Sequence, residues 1–230
     1  MTAGGRGAEK PKPVIIFGTS DFAQLAYVYL SKDSPYRVVA FTVHQKYLTD
    51  RQLLGVDVVP FEEVEQRYAP EEHAMFVAIG FSKLNRVRTE MYQDCKRRGF
   101  SPISYISSRA FHLDEVEIGE NSFVFEANVI QPFVRIGNNV ILWCGNHIGH
   151  HVTIGDNCFI ASHAVISGRV TIGSNCFVGV NATIRDGVTI ASNCIIGAGA
   201  VILKDTVEGG VYRGVNTEPA PYGSHELTRL

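Results

Sequence analysis

Every sixth residue from Ile118 to Ile202 is Ile, Leu or Val, fifteen in succession, in a chain whose apolar content is 45%. A fixed period of this kind constrains the fold before any local propensity does. The position four residues after each is mostly small or β-branched, from Ser122, Val134 and Val140 through Cys158, Ala164 and Ala182 to Thr206. Asn128 and Asn146 break that second rule. A longer period lies on top of the short one. Ile-Gly-Glu-Asn begins at Ile118, Ile-Gly-Asn-Asn at Ile136, Ile-Gly-Asp-Asn at Ile154, Ile-Gly-Ser-Asn at Ile172 and Ile-Ala-Ser-Asn at Ile190, each three hexads after the last.

Three hexads to the longer repeat make three short flat strands per coil, and so a triangular cross-section. The Ile points inward, the small residue fits the tighter place, and Gly or Asn takes the strained corners where φ is positive. Coils stack as parallel strands ~4.8 Å apart, so five of them make a prism on the order of 24 Å tall. The same period puts Cys158, Cys176 and Cys194 in one inward column. Five cysteines with no C-x-x-C and no metal-type spacing read as reduced, buried thiols.

Residues 13–107 carry no hexads. Strands are expected at Pro13 to Gly18, Arg37 to Val43, Val56 to Val59 and Met75 to Ile79, with a short one near Ile103. Helices are expected over roughly Asp21 to Leu30, Phe61 to Arg67 and Lys83 to Arg98. Strand alternating with helix argues a small, Rossmann-like parallel sheet, with its ligand site at the carboxyl ends of the strands. Its first turn, Gly18-Thr19-Ser20-Asp21-Phe22-Ala23, has one Gly where a dinucleotide fingerprint wants three; backbone amides at a helix start can still hold a phosphate. After Thr206 the chain turns polar, and a prism end needs a cap over its open strand edges.

Net charge is −2 with no Lys or Arg stripe, which argues against nucleic acid and anionic membranes. No apolar stretch has the ~18 residues of a membrane span, and residues 1–12, Gly-rich and basic, lack a secretory core. A disordered leader and a cytoplasmic protein are expected.

Four of the eight histidines, His147, His150, His151 and His163, crowd into the middle of the repeat. The segment also holds Trp143 where Gly is usual and Asn146 at an inward position; local rules broken together mark a functional site.

The chain order and the segment Ile-Gly-His-His-Val-Thr-Ile-Gly from Ile148 resemble the hexapeptide-repeat acyltransferases. Within that family they resemble the bacterial enzymes acting on nucleotide-linked amino sugars, such as the acetyltransferases of bacillosamine and perosamine pathways; sialic-acid O-acetyltransferases belong to the same group. Val77-Ala78-Ile79-Gly80, Phe177-Val178-Gly179-Val180-Asn181 and Ile196-Gly197-Ala198-Gly199-Ala200 carry the likeness too, which spans Pro13 to Val215. It implies a left-handed parallel β-helix of about five coils, against the usual right-handed crossover rule. It divides the chain into a leader (1–12), a nucleotide-sugar-binding α/β domain (13–107), a β-helix acyltransferase domain (108–207) and a C-terminal cap (208–230). It further implies acetyl-CoA as co-substrate, no metal, a homotrimer and a part in surface-glycan (lipopolysaccharide O-antigen) synthesis.

By the same resemblance His150 is the general base, suited to its task by an imidazole pKa near ~6.5. The backbone N–H of Gly168, one coil on, would hold the oxyanion. CoA would run past Gly168, Val180, Asn181, Ala198 and Lys204. The nucleotide sugar would meet Gly18, Thr19, Ser20, Asp21, Phe22 and Gly80, then Trp143, His147 and His151. Gly149 and His151 stand where the family has carboxylates beside the base, Phe22 where it has His, and Thr42-Val43-His44 at its acidic second strand end. Asp186 lies in the His150 column, two coils off at ~9–10 Å, too far for a direct hydrogen bond.

Oxygen acylation is the near alternative. A zinc lyase like the carbonic anhydrases of this fold would need an H-x4-H, whereas His147 and His151 are H-x3-H. A non-catalytic nucleotide-sugar-binding protein is the third.

Overall fold

The computed structural model describes residues 12–219 and 221 of the 230-residue chain. Residues 1–11 of the expected leader, and 220 and 222–230 of the expected cap, lie outside the described residues.

The front of the chain alternates β1 (Lys12–Phe17), α1 (Asp21–Lys32), β2 (Tyr36–Val43), β3 (Gln52–Leu53), β4 (Val56–Pro60), α2 (Val64–Arg67), β5 (Ala74–Val77), α3 (Arg86–Arg97) and β6 (Ser101–Pro102). They form one sheet in the order β3-β4-β2-β1-β5-β6, parallel except for the β3–β4 pair. β1 is therefore central, and its Val14, Ile15 and Ile16 are wholly buried, as a strand covered on both faces requires. Gln52–Leu53 folds back on β4 through Leu54 and Gly55, both at positive φ; the sequence reading had no strand there. The third helix starts three residues later than expected because Lys83, Leu84 and Asn85 are all left-handed, at φ 52°, 52° and 63°. α2 is a single turn preceded by a 3-10 turn, Phe61–Glu63.

From Tyr105 the chain winds into a left-handed prism of very short strands, each paired with the strand three hexads on, as in Val129↔His147↔Val165↔Thr183↔Val201. Face 1 holds that column; face 2 holds the column Glu117, Arg135, Thr153, Thr171, Thr189; face 3 runs from Tyr105 through Phe123, Ile141, Phe159, Phe177 and Ile195 to Val211. The hexad Ile, Leu and Val residues and their small partners fill the interior. The strand Val211–Tyr212 covers the open edge at Ile195–Ile196.

The vertices follow one rule and refine another. Every sixth residue from Asn121 to Gly199 has positive φ. The Gly of each Ile-Gly-x-Asn does not; a Cβ on Gly137 would lie 2.8 Å from the Asp156 nitrogen and on Gly155 2.8 Å from the Ser174 nitrogen. Those glycines permit close coil stacking, and the asparagines take the strain. Between faces 2 and 3 the left-handed residues are all Asn: 121, 139, 157, 175 and 193. Their amides form a ladder, Asn121 Nδ2 donating to Asn139 Oδ1 at 2.8 Å and Asn139 Nδ2 to Asn157 Oδ1 at 2.9 Å. The Val77 N–H caps it, donating to Asn121 Oδ1 at 2.8 Å.

The α/β layer lies on face 3. Phe22, Phe76, Phe123 and Phe125 form one aromatic cluster across the join, each such ring contributing about 2 kcal/mol by burial. Beside it Arg88, wholly buried, donates to the carbonyls of Gly80, Asn139, Asn157 and Cys158 and to Asn85 Oδ1. Burial pulls its guanidinium down to about 9, which still leaves it charged at neutral pH. Asn85 donates in turn to the Cys176 carbonyl at 3.1 Å.

Candidate active site

His150 sits at the vertex between faces 1 and 2, opposite face 3 and thus away from the α/β layer of its own chain. Its backbone is pinned from both neighbouring coils: the His150 N–H donates to Gln131 Oε1 at 2.8 Å and its carbonyl accepts from the Arg169 N–H at 2.9 Å. Its Nδ1 lies 3.2 Å from His151 Nδ1, and the His151 ring packs on Phe133, centroids 4.8 Å apart. One of the two facing Nδ1 atoms must carry the proton. If it is His150, its Nε2 lone pair is free.

The other ring edge overlies Gly168. A Cβ there would meet His150 Cε1 at 2.7 Å, His150 Nε2 at 2.8 Å and Asp186 Oδ1 at 2.8 Å. Gly168 is thus the gap in which an imidazole and a carboxylate approach each other. His150 Nε2 and Asp186 Oδ1 each lie 2.8 Å from one point, so their separation is at most twice that distance. The backbone spacing of two coils stands, but the side chains lean together, and Asp186 is nearer than the column spacing implied. The Gly168 N–H donates to nothing among the described residues. A Cβ on Gly149 would lie 2.6 Å from that nitrogen, so Gly149 keeps the amide uncovered.

This vertex is unusual in its backbone. Its left-handed positions hold Phe133, His151 and Arg169 at φ 66°, 58° and 57°, where the opposite vertex has only Asn. Each bulky residue there costs on the order of 1–2 kcal/mol, and strain of this kind clusters at functional sites.

The four histidines are not gathered. His147 is central on face 1, and His163 is at the vertex between faces 3 and 1, its ring filling the space a Gly145 Cβ would need. Among the described residues no group of three His, Cys, Asp or Glu side chains could hold a metal ion. Asn146 marks no site: Asn128 and Asn146 bond to each other inside the prism, Asn146 Nδ2 to Asn128 Oδ1 at 3.0 Å, and Asn146 Oδ1 accepts from the Ala164 N–H at 2.8 Å.

The expected co-substrate residues divide between two vertices. Gly168 and Lys204 share the His150 column, while Val180, Asn181 and Ala198 lie across face 1, at the vertex between faces 3 and 1. The Val180 and Ala198 N–H groups are undonated among the described residues, and Gly214 crosses so close that a Cβ would strike the Ala198 carbonyl.

In the front layer, Gly18, at φ 123°, is forced by the Ala78 carbonyl 2.8 Å from its would-be Cβ. Thr19, Ser20 and Asp21 follow at the start of α1, with Ser20 and Asp21 exposed, and Gly80 sits just past the end of the neighbouring β5 with its carbonyl on Arg88. Phe22 and Trp143 depart from the expected ligand set. The Phe22 ring is buried against Phe76 and Phe123, and Trp143 stacks on Phe125 at 4.5 Å. Both are packing residues of the join. The sequence reading missed Arg88, Gln131 and Glu62; the last pairs with His44 Nδ1 at 2.9 Å and brings a carboxylate to the end of β2.

The family model described as bacterial transferase hexapeptide (six repeats) matches residues 133–168 and 169–204. No curated protein sequence matches the chain. Among solved structures, PerB from Caulobacter crescentus, in complex with CoA and GDP-perosamine, is 28% identical over 88% of this chain and 94% of its own, with a TM-score of 0.79. The acetyltransferase domain of PglB from Neisseria gonorrhoeae is 23% identical over 91% and 100%, with a TM-score of 0.80. WeeI from Acinetobacter baumannii is 21% identical over 82% and 94%, at 0.62. Residues 133–204 thus carry the bacterial transferase hexapeptide repeat, and the whole chain, hexads and leading α/β layer together, is similar to sugar acetyltransferases built on that repeat.

Proposed function

We propose that the chain transfers the acetyl group of acetyl-CoA to the amine of a nucleotide-linked amino sugar, with His150 as general base. The observation that carries this reading is the single vertex at which a free imidazole edge and an undonated backbone N–H meet over Gly168. His150 Nε2 takes the proton as the amine attacks the thioester, the Gly168 N–H holds the developing oxyanion, and the imidazolium returns its proton to the departing thiolate. His151 takes the orienting role that a carboxylate would otherwise have, through Nδ1. PerB, solved with CoA and GDP-perosamine, supports both the donor and the acceptor class. The glycan made would belong to the bacterial surface, and the reaction to the cytoplasm where nucleotide sugars and acetyl-CoA are found.

The working unit is a homotrimer. Support comes from the separation of the two half-sites: the Gly18 and Gly80 turns belong to the layer on face 3, and His150 to the vertex opposite. A neighbour is needed to bring a nucleotide sugar to the base. Face 1, with Val129, Val165 and Val201 exposed along one flat column, has the surface that three-fold packing would bury.

The test is thiol release from acetyl-CoA against UDP-, dTDP- and GDP-amino sugars, for the natural chain and His150→Ala. Turnover of one amino sugar, lost in the variant, is expected; turnover that survives removes His150 from the chemistry. Light scattering during size exclusion tests the trimer, and a monomeric mass would refute it.

A further inference from the structure

We propose that Asp186 is a further catalytic residue, the ligand that holds the acceptor amine against His150. This rests on His150 as base, but its geometric support is separate. The acceptor arrives at neutral pH as an ammonium ion, which needs an anion beside the base. Neither sequence neighbour of His150 is one: Gly149 has no side chain and His151 is engaged with Nδ1. Asp186 is the carboxylate that reaches the site. Its Oδ1 and His150 Nε2 flank Gly168, each 2.8 Å from the point where a Cβ would stand, and no hydrogen bond or ion pair joins them among the described residues.

The widest gap this allows is the span of two N···O or N···N hydrogen bonds of ~2.9 Å in series. A single nitrogen between the two groups can donate to the carboxylate and give its proton to the imidazole. Gly168 makes this possible, since any side chain there would occupy the approach. Its undonated N–H opens beside the same gap, so the reacting carbon and the nitrogen meet at one place. Asp186 is exposed and free to turn: it makes no hydrogen bond among the described residues, although its chain neighbours Arg185 and Gly187 both donate backbone N–H groups to other coils. The bond account is simple. The ammonium first gives one proton to solvent; the amine lone pair then forms the C–N bond as a second proton passes to His150, the C–S bond breaks, the departing thiolate takes that proton from the imidazolium, and Asp186 remains a carboxylate throughout.

The charged and titratable groups around His150 are His151 on Nδ1, Asp186 across Gly168, Arg169 beside it in the next coil, and Arg185 and Lys204 flanking Asp186 in chain and column. Asp186 is the anion that faces the His150 ring across Gly168.

The experiment compares Asp186→Asn, Asp186→Glu and His150→Ala with the natural chain. Acceptor and acetyl-CoA kinetics are read against pH, and binding of UDP-, dTDP- and GDP-amino sugars is measured by calorimetry. Asp186→Asn is expected to lower kcat 10- to 100-fold and to raise the acceptor KM, with the acetyl-CoA KM unchanged. Asp186→Glu should restore part of each. Wild-type kinetics in Asp186→Asn, with His150→Ala inactive, overturn the proposal and leave the base in place. An active His150→Ala with an impaired acceptor KM in Asp186→Asn removes the base and keeps the amine ligand. Should no acceptor turn over, unchanged affinity of Asp186→Asn for the tightest-binding amino sugar of the panel overturns the proposal by itself.

Discussion

Gly168→Ala puts one methyl group into the gap over which His150 and Asp186 meet. Gly168 has no positive φ, so alanine adopts its backbone without strain and the whole effect is steric. The new Cβ would lie 2.7 Å from His150 Cε1 and 2.8 Å from both His150 Nε2 and Asp186 Oδ1. Ordinary contact is ~3.5 Å or more, so the imidazole must withdraw by roughly 0.7–1 Å. Displacement of that size costs on the order of 10²-fold in rate, and a screened oxyanion donor about 10²–10³. The two losses concern one event and do not multiply, so kcat should fall about 10²- to 10³-fold. The clashing atoms belong to side chains with room to move, so stability should fall by under about 1 kcal/mol, a Tm change within ~3 °C. Gly149→Ala is the control. Its Cβ would meet backbone, 2.6 Å from the Gly168 nitrogen and 2.7 Å from the Ser167 carbonyl carbon, so it should lose stability by about 1–3 kcal/mol as well as activity. Steady-state thiol release and thermal unfolding on both variants decide the matter. A Gly168→Ala protein with native kcat would refute the reasoning, because the reaction could not then pass through that gap.

Arg88→Met leaves the carbonyls of Gly80, Asn139, Asn157 and Cys158 without their buried donor. It should cost more than about 4 kcal/mol and split denaturant unfolding into two transitions; one unshifted transition would deny Arg88 its role as latch. Asn139→Gly keeps the left-handed corner but loses the amide ladder, whereas Asn139→Ala loses both, so alanine should be the less stable by about 1 kcal/mol. Equal denaturation midpoints would mean that corner strain is negligible. Asp33 accepts from Tyr105 Oη at 2.6 Å and the Ser108 N–H at 3.0 Å, and its hydrogen bonds from Ser108 and Tyr105 lower its carboxyl to about 2. A depressed folded pKa stabilises above the unfolded value of 3.8 and loses that stability as pH falls toward about 2. The site is half-buried at the surface and screened by solvent, so the contribution is under about 1 kcal/mol. Asp33→Asn should flatten the stability curve between those two pH values, and an unchanged slope would count against it.

The prism was readable because its period is short and its inward positions tolerate few residue types, so chemistry repeats wherever geometry does. The cover on face 3 was also written in the hexads. The residue before the inward one is Phe123, Ile141, Phe159, Phe177 and Ile195 there, against Glu117, Arg135, Thr153, Thr171 and Thr189 on face 2. A column so rich in large apolar and aromatic residues announces a partner on that side. Corner chemistry was legible in kind but not in place: asparagines carry the positive φ, and glycines the close approach. Trp143 and Asn146 looked anomalous because the repeat was the only standard available, yet the join and an internal amide ladder explain both. The reach of Asp186 was beyond the sequence, because column spacing fixes backbones while the lean of two side chains over a bare Cα depends on coordinates. Arg88 gave no signal at all: one of three arginines on a charged helix reads as solvated until its five acceptors are seen.

The stacking of the vertex columns also sets the order in which the site is lost on heating. Linear stacks fray from their ends, since a terminal coil has only one neighbour. His150 leaves the second of five strands on face 1 and Asp186 the fourth, with little of the prism beyond it. Fraying that releases the C-terminal turns would free the carboxylate while the imidazole, Gln131 and Gly168 were still held. The temperature at which turnover fails is then set by the last two coils rather than by the melting of the prism, and amide exchange at Arg185 and Gly187 should track it.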